Sequence, residues 1–295
     1  MMVQKRFTVF LLILSLLFAF FSVSISSEEN EKRYYSALLV GLDDAANNTD
    51  VISMLVYDCV DNIINILQLP RDTLYKSDDG ICKLNSLYAR SLNNKNDERK
   101  ALSDFSKIIN DILQIKSDFN LSFTTRAFVE LIDSIGGIYV YLPRDLYQII
   151  GKDLTFTKEG DNHFCGSEAL RFVRYRKNYK GGDIQRLNTQ KIFFEGLFRT
   201  LKSRTNLFDL LFTCSKNRGV VLDYSFKNVI PLLNDMSKIP YAKLNVQTMP
   251  GNAVIIDKTS YYVLERDKCF VVLKSVFADK TVIFDPKKKT DYSLS

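Results

Sequence analysis

Short apolar runs and polar breaks alternate from Ser36 to Pro70 on a spacing that suits strands. "SALLVGLD" is an apolar run that ends on Asp43, and "VISMLVYD" and "IINILQLP" flank the turn-like "CVDN", which predicts an antiparallel hairpin. Past Ser86 the period lengthens. Ser86 to Arg90 and Ala101 to Ile115 are helical, the second with Leu102, Phe105, Ile108, Ile109 and Ile112 on one face. "NLSF" reads as a strand, and "TTRAFVELIDSIGG" as a helix capped by Thr124 or Thr125 and stopped by Gly136–Gly137. "IYVYLP" follows as a strand. "GSEALRFVRYRK" and "DIQRLNTQKIFFEGLFRTLKS" open two further helices, and "SFKNVIPLLNDMSK" a third despite Pro231. "AKLNVQTMPG" closes the pattern with a strand and a turn. The result is α/β without repeats. Its soft joints, the loop from Gly151 to Gly166 and Tyr179 to Gly182, lack linker composition, so residues 34–295 read as one domain.

The chain's first residues decide the compartment. Lys5 and Arg6 precede an uncharged apolar run from Phe7 to Ile25, followed by Glu28, Glu29 and Glu31. As a helix the run would measure roughly 28 Å, enough to cross a bilayer core. The positive flank predicts a cytoplasmic stub at residues 1–6, a transmembrane signal anchor at 7–26 and an extracellular domain beyond. A cleaved signal peptide is the alternative, since Ser24 and Ser26 are small enough for a cleavage site. The run is long for a signal's apolar segment, which favours the anchor. The later run from Leu207 to Cys214 is too short to span.

Composition narrows the partners. A net charge of +6 leans toward anions, but Lys and Arg are dispersed along the chain, which argues against nucleic acid. Five scattered cysteines without a C-x-x-C read as small buried hydrophobes, and their odd number leaves at least one unpaired within a monomer. A single histidine, His163 in a polar loop segment, makes a cysteine or histidine metal site poor and argues against Ser-His or Cys-His catalysis.

What remains is carboxylates and guanidiniums. Asp43 stands at the carboxyl end of a strand, where open α/β sheets place ligand groups, and Asp50 begins the next strand. Alone, the two are ordinary turn formers. Convergent, they can hold Mg²⁺ shared with phosphate oxygens. Pro70-Arg71-Asp72 sets a guanidinium beside an acid at a strand end, which suits phosphate recognition or a surface ion pair. "LRFVRYRKNYKGGDIQR" then crowds Arg171, Arg174, Arg176, Lys177, Lys180 and Arg186 together, opposed by Asp183 alone. A helix C-terminus explains Arg174 and Lys177. It does not explain Arg186, which opens the next helix, where an anion would make a cation tolerable.

These blocks resemble the LytR-CpsA-Psr proteins of Gram-positive envelopes. The likeness runs in order through "LLVGLD", "TDVISMLVYD", "LQLPRDT", "KLNSLYA", "FVELIDSIGGIYV", "ALRFVRYRK", "GGDIQR" and the terminal "MPG…YY". It implies a mixed central β-sheet flanked by helices, with an apolar lipid pocket. It also implies Mg²⁺-assisted transfer of a phosphate-linked glycopolymer from a polyprenyl-pyrophosphate carrier to peptidoglycan. By the resemblance, Asp43 and Asp50 match the metal-linked acids, and Arg71 and Asp72 the I-P-R-D block. Lys83 and Asn85 match the K-I-N block, Arg174 and Arg176 the R-Y-R block. Asp183, Arg186 and Gln190 match D-x-x-R-x-x-R-Q. Arg71, Asp72, Arg176 and Arg186 are thereby the catalytic candidates, and Lys83, Asn85, Arg174, Asp183 and Gln190 the substrate-binding ones.

Four positions depart from that pattern. Ala45, Asn48 and Thr189 stand where the family carries arginine, and Gln185 where it carries glycine. Three missing guanidiniums thin a phosphate clamp. Besides a transferase, a hydrolase of the same lipid pyrophosphate and a non-catalytic lipid-phosphate binder therefore stay open. The exporting segment disfavours a cytoplasmic transcription factor.

Overall fold

Strands β1 (Tyr34–Leu42), β2 (Thr49–Asp58) and β3 (Ile63–Gln68) form an antiparallel meander, with Leu38 opposite Met54 and Val56 opposite Asn65. Residues at alternate positions go to opposite faces, because a pleated strand repeats every two residues. Two small strands, β4 (Leu74–Ser77) and β5 (Gly80–Lys83), pair as a separate hairpin and lead through a single 3₁₀ turn into α1 (Leu87–Lys95) and α2 (Glu98–Leu113). Next come β6 (Phe119–Phe123), α3 (Thr125–Ser134), β7 (Ile138–Leu142), α4 (Arg144–Ile150) and β8 (Gly160–Phe164). The chain continues as α5 (Gly166–Val173), α6 (Asp183–Ser203), β9 (Val220–Tyr224) and β10 (Lys243–Thr248), and closes with β11 (Gly251–Ile256), β12 (Thr259–Leu264) and α7 (Arg266–Val276). In this computed structural model the residues described are 33–43, 48–77, 80–175, 183–203, 213, 216–224 and 242–277.

The central sheet has six strands in the order β10-β3-β2-β1-β6-β9. It is mixed: β6 runs parallel to β1 and β10 parallel to β3, while the remaining pairs are antiparallel. Helices cover both faces. Leu38, Val40 and Met54 pack with Tyr88, Phe105 and Leu273 of α1, α2 and α7. Tyr35, Tyr57 and Ile66 pack with Ile132, Phe172 and Phe194 of α3, α5 and α6. Each fully buried Leu, Ile or Phe of this kind contributes roughly 1.5–3 kcal/mol.

Local signals place the elements nearest the strand ends. The side chain of Asp97 accepts the Lys100 N–H and caps α2. Of the two cap choices for α3, Thr124 is the cap, accepting the Ala127 N–H at 3.3 Å. Thr125 does something else: its hydroxyl donates to the Leu42 carbonyl at 3.3 Å and ties the start of α3 to the end of β1. Gly136 and Gly137 stop the helix with φ of 76° and 84°, values that favour glycine.

Three readings of the sequence need revision. The stretch from Gly151 to Gly166 is not all loop. It contains β8, and His163 lies on that strand, exposed, its Nε2 donating to the Gly136 carbonyl at 2.9 Å. The chain does not close at Gly251 either, since a hairpin and a helix follow. Of the cysteines, Cys269 is buried, and burial pushes its thiol up to about 12. Cys59 and Cys82 are half-buried, but Cys165 is exposed just before α5. The anchor at 7–26, the helix expected around Pro231, Tyr179 to Gly182 and Cys214 lie outside the described residues. Among the described residues no helix is long and apolar enough to cross a membrane.

Candidate active site

The site forms where β1 ends and β2 begins. The β1–β2 register shifts between Gly41 and Leu42, an irregularity of the sort that re-aims the residues following it. Asp43 comes next. Its N–H donates to the Asn48 carbonyl at 3.0 Å, and the Asn48 amide donates back to its carboxylate at 3.3 Å. Asp50 is the second residue of β2. Because β3 returns antiparallel to β2, the chain leaving β3 passes beside Asp50, with the Leu69 N–H on the Ile52 carbonyl at 2.9 Å.

Arg71 occupies the turn that follows. Thr73 pins this turn, its N–H and its hydroxyl both donating to the Pro70 carbonyl at 3.0 and 2.6 Å. Arg71 Nη1 then lies 2.8 Å from Asp50 Oδ1. From the other side α5 delivers Arg174 at its C-cap, with Nη2 3.6 Å from Asp50 Oδ2. Asp43, Asn48, Asp50, Arg71 and Arg174 line one open cavity of about 350 Å³, near the small end for a ligand site. Two carboxylates facing two guanidiniums in a half-buried cavity can bind an anion and a cation together.

The remaining candidates take other places. Asp72 Oδ1 pairs with Lys83 Nζ at 3.1 Å, and the acid set on Arg71 is Asp50. The "KLN" block braces the Pro-Arg-Asp turn through its backbone, Leu84 N–H to Thr73 O at 2.8 Å and Asn85 N–H to Arg71 O at 3.0 Å. Gln190 is buried against the sheet, its carbonyl accepting from the Gln68 amide at 3.4 Å. Asp183 and Arg186 sit in the opening turns of α6; their side chains, and all of Arg176, lie outside the described residues. Of the departures, Asn48 faces the cavity and Thr189 is wholly buried in α6, while Ala45 and the Gln185 side chain are outside the described residues. Sequence reasoning missed Asn48 as the brace of Asp43. A polar residue two positions before an acid carries no signal of its own.

The donor set fits Mg²⁺. Among the described residues no group of three or more His, Cys, Asp or Glu side chains gathers, so these residues offer no full cage. Asp43 and Asp50 are two carboxylates lining one cavity, the number Mg²⁺ normally takes from a protein, and they would be the residues to hold it.

The structure is thus an α/β sandwich with an acid–arginine cavity at its strand ends. The LytR_cpsA_psr family profile matches residues 20–277, and the chain belongs to that family. It is 24% identical over 250 residues to the polyisoprenyl-teichoic acid–peptidoglycan teichoic acid transferase TagV of Bacillus subtilis strain 168, covering 80% of this chain and 62% of TagV. The teichoic acid transferase TagU of the same strain is 23% identical over 241 residues, covering 79% of this chain and 74% of TagU. The chain thus spans 62% of the length of TagV and of a Bacillus anthracis TagU. The fold is also that of gbs0355 from Streptococcus agalactiae, with a TM-score of 0.68, 20% identity and coverage of 89% and 93% of the two chains. TagT bound to LIIa-WTA superposes with a TM-score of 0.65 at 20% identity, covering 85% of this chain and 92% of TagT.

Proposed function

We propose that this domain is a phosphotransferase that moves a phosphate-linked glycopolymer from a polyprenyl-pyrophosphate carrier to peptidoglycan. The observation that carries the reading is the cavity uniting Asp43, Asp50, Arg71 and Arg174, in a chain whose relatives are named as teichoic acid transferases. In the reaction an acceptor hydroxyl oxygen forms a bond to the glycan-side phosphorus. The bond from that phosphorus to the bridging oxygen breaks, and the carrier leaves as polyprenyl monophosphate. The hydroxyl proton passes to a carboxylate, a role we assign to Asp72, whose side chain is 25% exposed in the turn that carries Arg71. Asp43 and Asp50 would hold Mg²⁺, which when bound neutralises phosphate charge. Arg71 and Arg174 would grip the phosphate oxygens, and by the family resemblance Arg176 and Arg186 are assigned the same task. No protein nucleophile is required.

Purified protein given a polyprenyl-pyrophosphate-linked glycan, Mg²⁺ and peptidoglycan fragments should attach glycan phosphate to the fragment. Chelation of Mg²⁺, or Asp43→Ala, should abolish that product while the fold survives. Asp43→Ala with wild-type Mg²⁺ dependence would return Asp43 to the status of a turn residue.

A second reading, a lipid-phosphate binder of weakened activity, is favoured by Asn48, a neutral side chain in the cavity where the family carries a guanidinium. Turnover gained on Asn48→Arg would mark a weakened enzyme. Binding with no turnover in either form would mark a binder, and free glycan phosphate released regardless of acceptor would mark a hydrolase. We also place the domain outside the cell, held by the apolar segment 7–26. Protease added to intact protoplasts should digest it, and protection until the membrane is opened would sink that placement.

A further inference from the structure

We infer that Tyr261, Lys83 and Asp72 form a sugar-binding subsite for the acceptor glycan, beside the phosphate cavity. The hairpin β11–β12 is no part of the six-stranded sheet, yet it is tied to the Pro-Arg-Asp turn. The Tyr262 N–H donates to the Asp72 carbonyl at 2.9 Å, and Thr73 bridges Tyr262 in parallel. Neighbouring residues of a strand point to opposite faces. Tyr262 turns inward, its hydroxyl donating to the Met249 carbonyl at 3.1 Å. Tyr261 therefore turns the other way, half-exposed, with Lys83 Nζ 6.0 Å from its ring centre. Lys83 in turn holds Asp72 Oδ1 at 3.1 Å, and both side chains keep access to solvent, 29% and 25% exposed. Among the described residues no hydrogen bond to Asp72 Oδ2 is present.

That trio has the chemistry of a pyranose site. A sugar ring presents an apolar C–H face and a polar rim of hydroxyls. The Tyr261 ring offers a flat apolar surface, the Lys83 ammonium three donors, and Asp72 an open acceptor. A balanced ammonium–carboxylate pair suits a neutral diol better than an anion. The cavity next door has the opposite design, with guanidiniums for phosphate. Arg71 and Asp72 are consecutive, so the cavity and this trio share one turn of backbone. The bland alternative is that Lys83–Asp72 only braces the turn and Tyr261 only covers the lysine.

The inference rests on the transferase reading, and the test separates the two. Full-length protein with saturating lipid-linked donor is titrated with peptidoglycan fragments, and saturation-transfer NMR separately measures binding of a peptidoglycan disaccharide without donor. Tyr261→Ala should raise the acceptor KM about tenfold, equivalent to roughly 1.4 kcal/mol, with donor affinity unmoved. Tyr261→Leu, which keeps apolar bulk over Lys83, should behave like Tyr261→Ala, whereas Tyr261→Phe should restore acceptor KM and disaccharide contact. If the wild type transfers nothing, the functional reading falls, and the disaccharide signal alone decides the subsite. Unchanged acceptor KM and unchanged disaccharide contact in both Tyr261→Ala and Tyr261→Leu would overturn it. So would a loss confined to melting temperature.

Discussion

Arg71→Ala should cost ten- to a hundredfold in affinity for a polyprenyl-pyrophosphate ligand, and more in turnover. Arg71 Nη1 sits 2.8 Å from Asp50, so its guanidinium is held in place before any phosphate arrives. Losing a charged hydrogen bond of this kind costs about 1.5–3 kcal/mol, which sets the binding effect. A preorganised donor aimed at charge that develops in the transition state is worth roughly 10²–10³ in rate, so kcat should fall further than binding. Arg174, 3.6 Å away, stays as an ion-pair partner of Asp50 after that loss. Arg71→Lys separates charge from geometry. It retains the positive charge but not the planar fork, and an intermediate affinity is expected. Titration calorimetry with a soluble polyprenyl-pyrophosphate analogue and Mg²⁺ measures the first effect, and circular dichroism checks the fold. Affinity in Arg71→Ala equal to wild type would remove Arg71 from the site.

How much of this site could be read from the chain depends on how local each feature is. β1, β2 and β3 were legible because their apolar alternation is dense and "CVDN" interrupts it once. Asp43 and Arg71 were legible as charges at strand ends, which a buried strand does not need. The contact that organises them was not. Asp50 and Arg71 stand 21 residues apart, and their meeting follows from the antiparallel return of β3 rather than from any spacing. Asp72, the acid beside Arg71 in the chain, holds Lys83. The hairpin carrying Tyr261 was missed for a different reason. Its turn residues Asp257 and Lys258 both adopt left-handed φ, 48° and 66°, without the glycine that usually announces such a turn. β8 was missed because "GDNHF" has one large apolar residue, although Asn162 and Phe164 both turn inward.

The second large effect is expected outside the cavity, at Gly166. This residue opens α5, its N–H donating to Asp133 Oδ1 at 2.7 Å, and a Cβ built on it runs into the backbone carbonyl of Val129 on α3. Backbone cannot step aside as a flexible side chain can. Gly166→Ala should therefore push α5 off α3, an overpacking that costs about 1–3 kcal/mol. At roughly 2–4 °C per kcal/mol, a melting curve resolves that. The functional consequence comes from the other end of the helix, because α5 has only eight residues and Arg174 is its C-cap. A shift at Gly166 is carried rigidly over about 12 Å to the guanidinium beside Asp50. Phe105→Ala is the matched control, an emptied core position on the opposite face of the sheet, expected to cost about 3–5 kcal/mol. Measured on folded protein below both melting points, donor affinity should fall severalfold in Gly166→Ala and stay at the wild-type value in Phe105→Ala. Equal affinities in the two variants would mean that Arg174 does not depend on the α3–α5 contact for its place in the cavity.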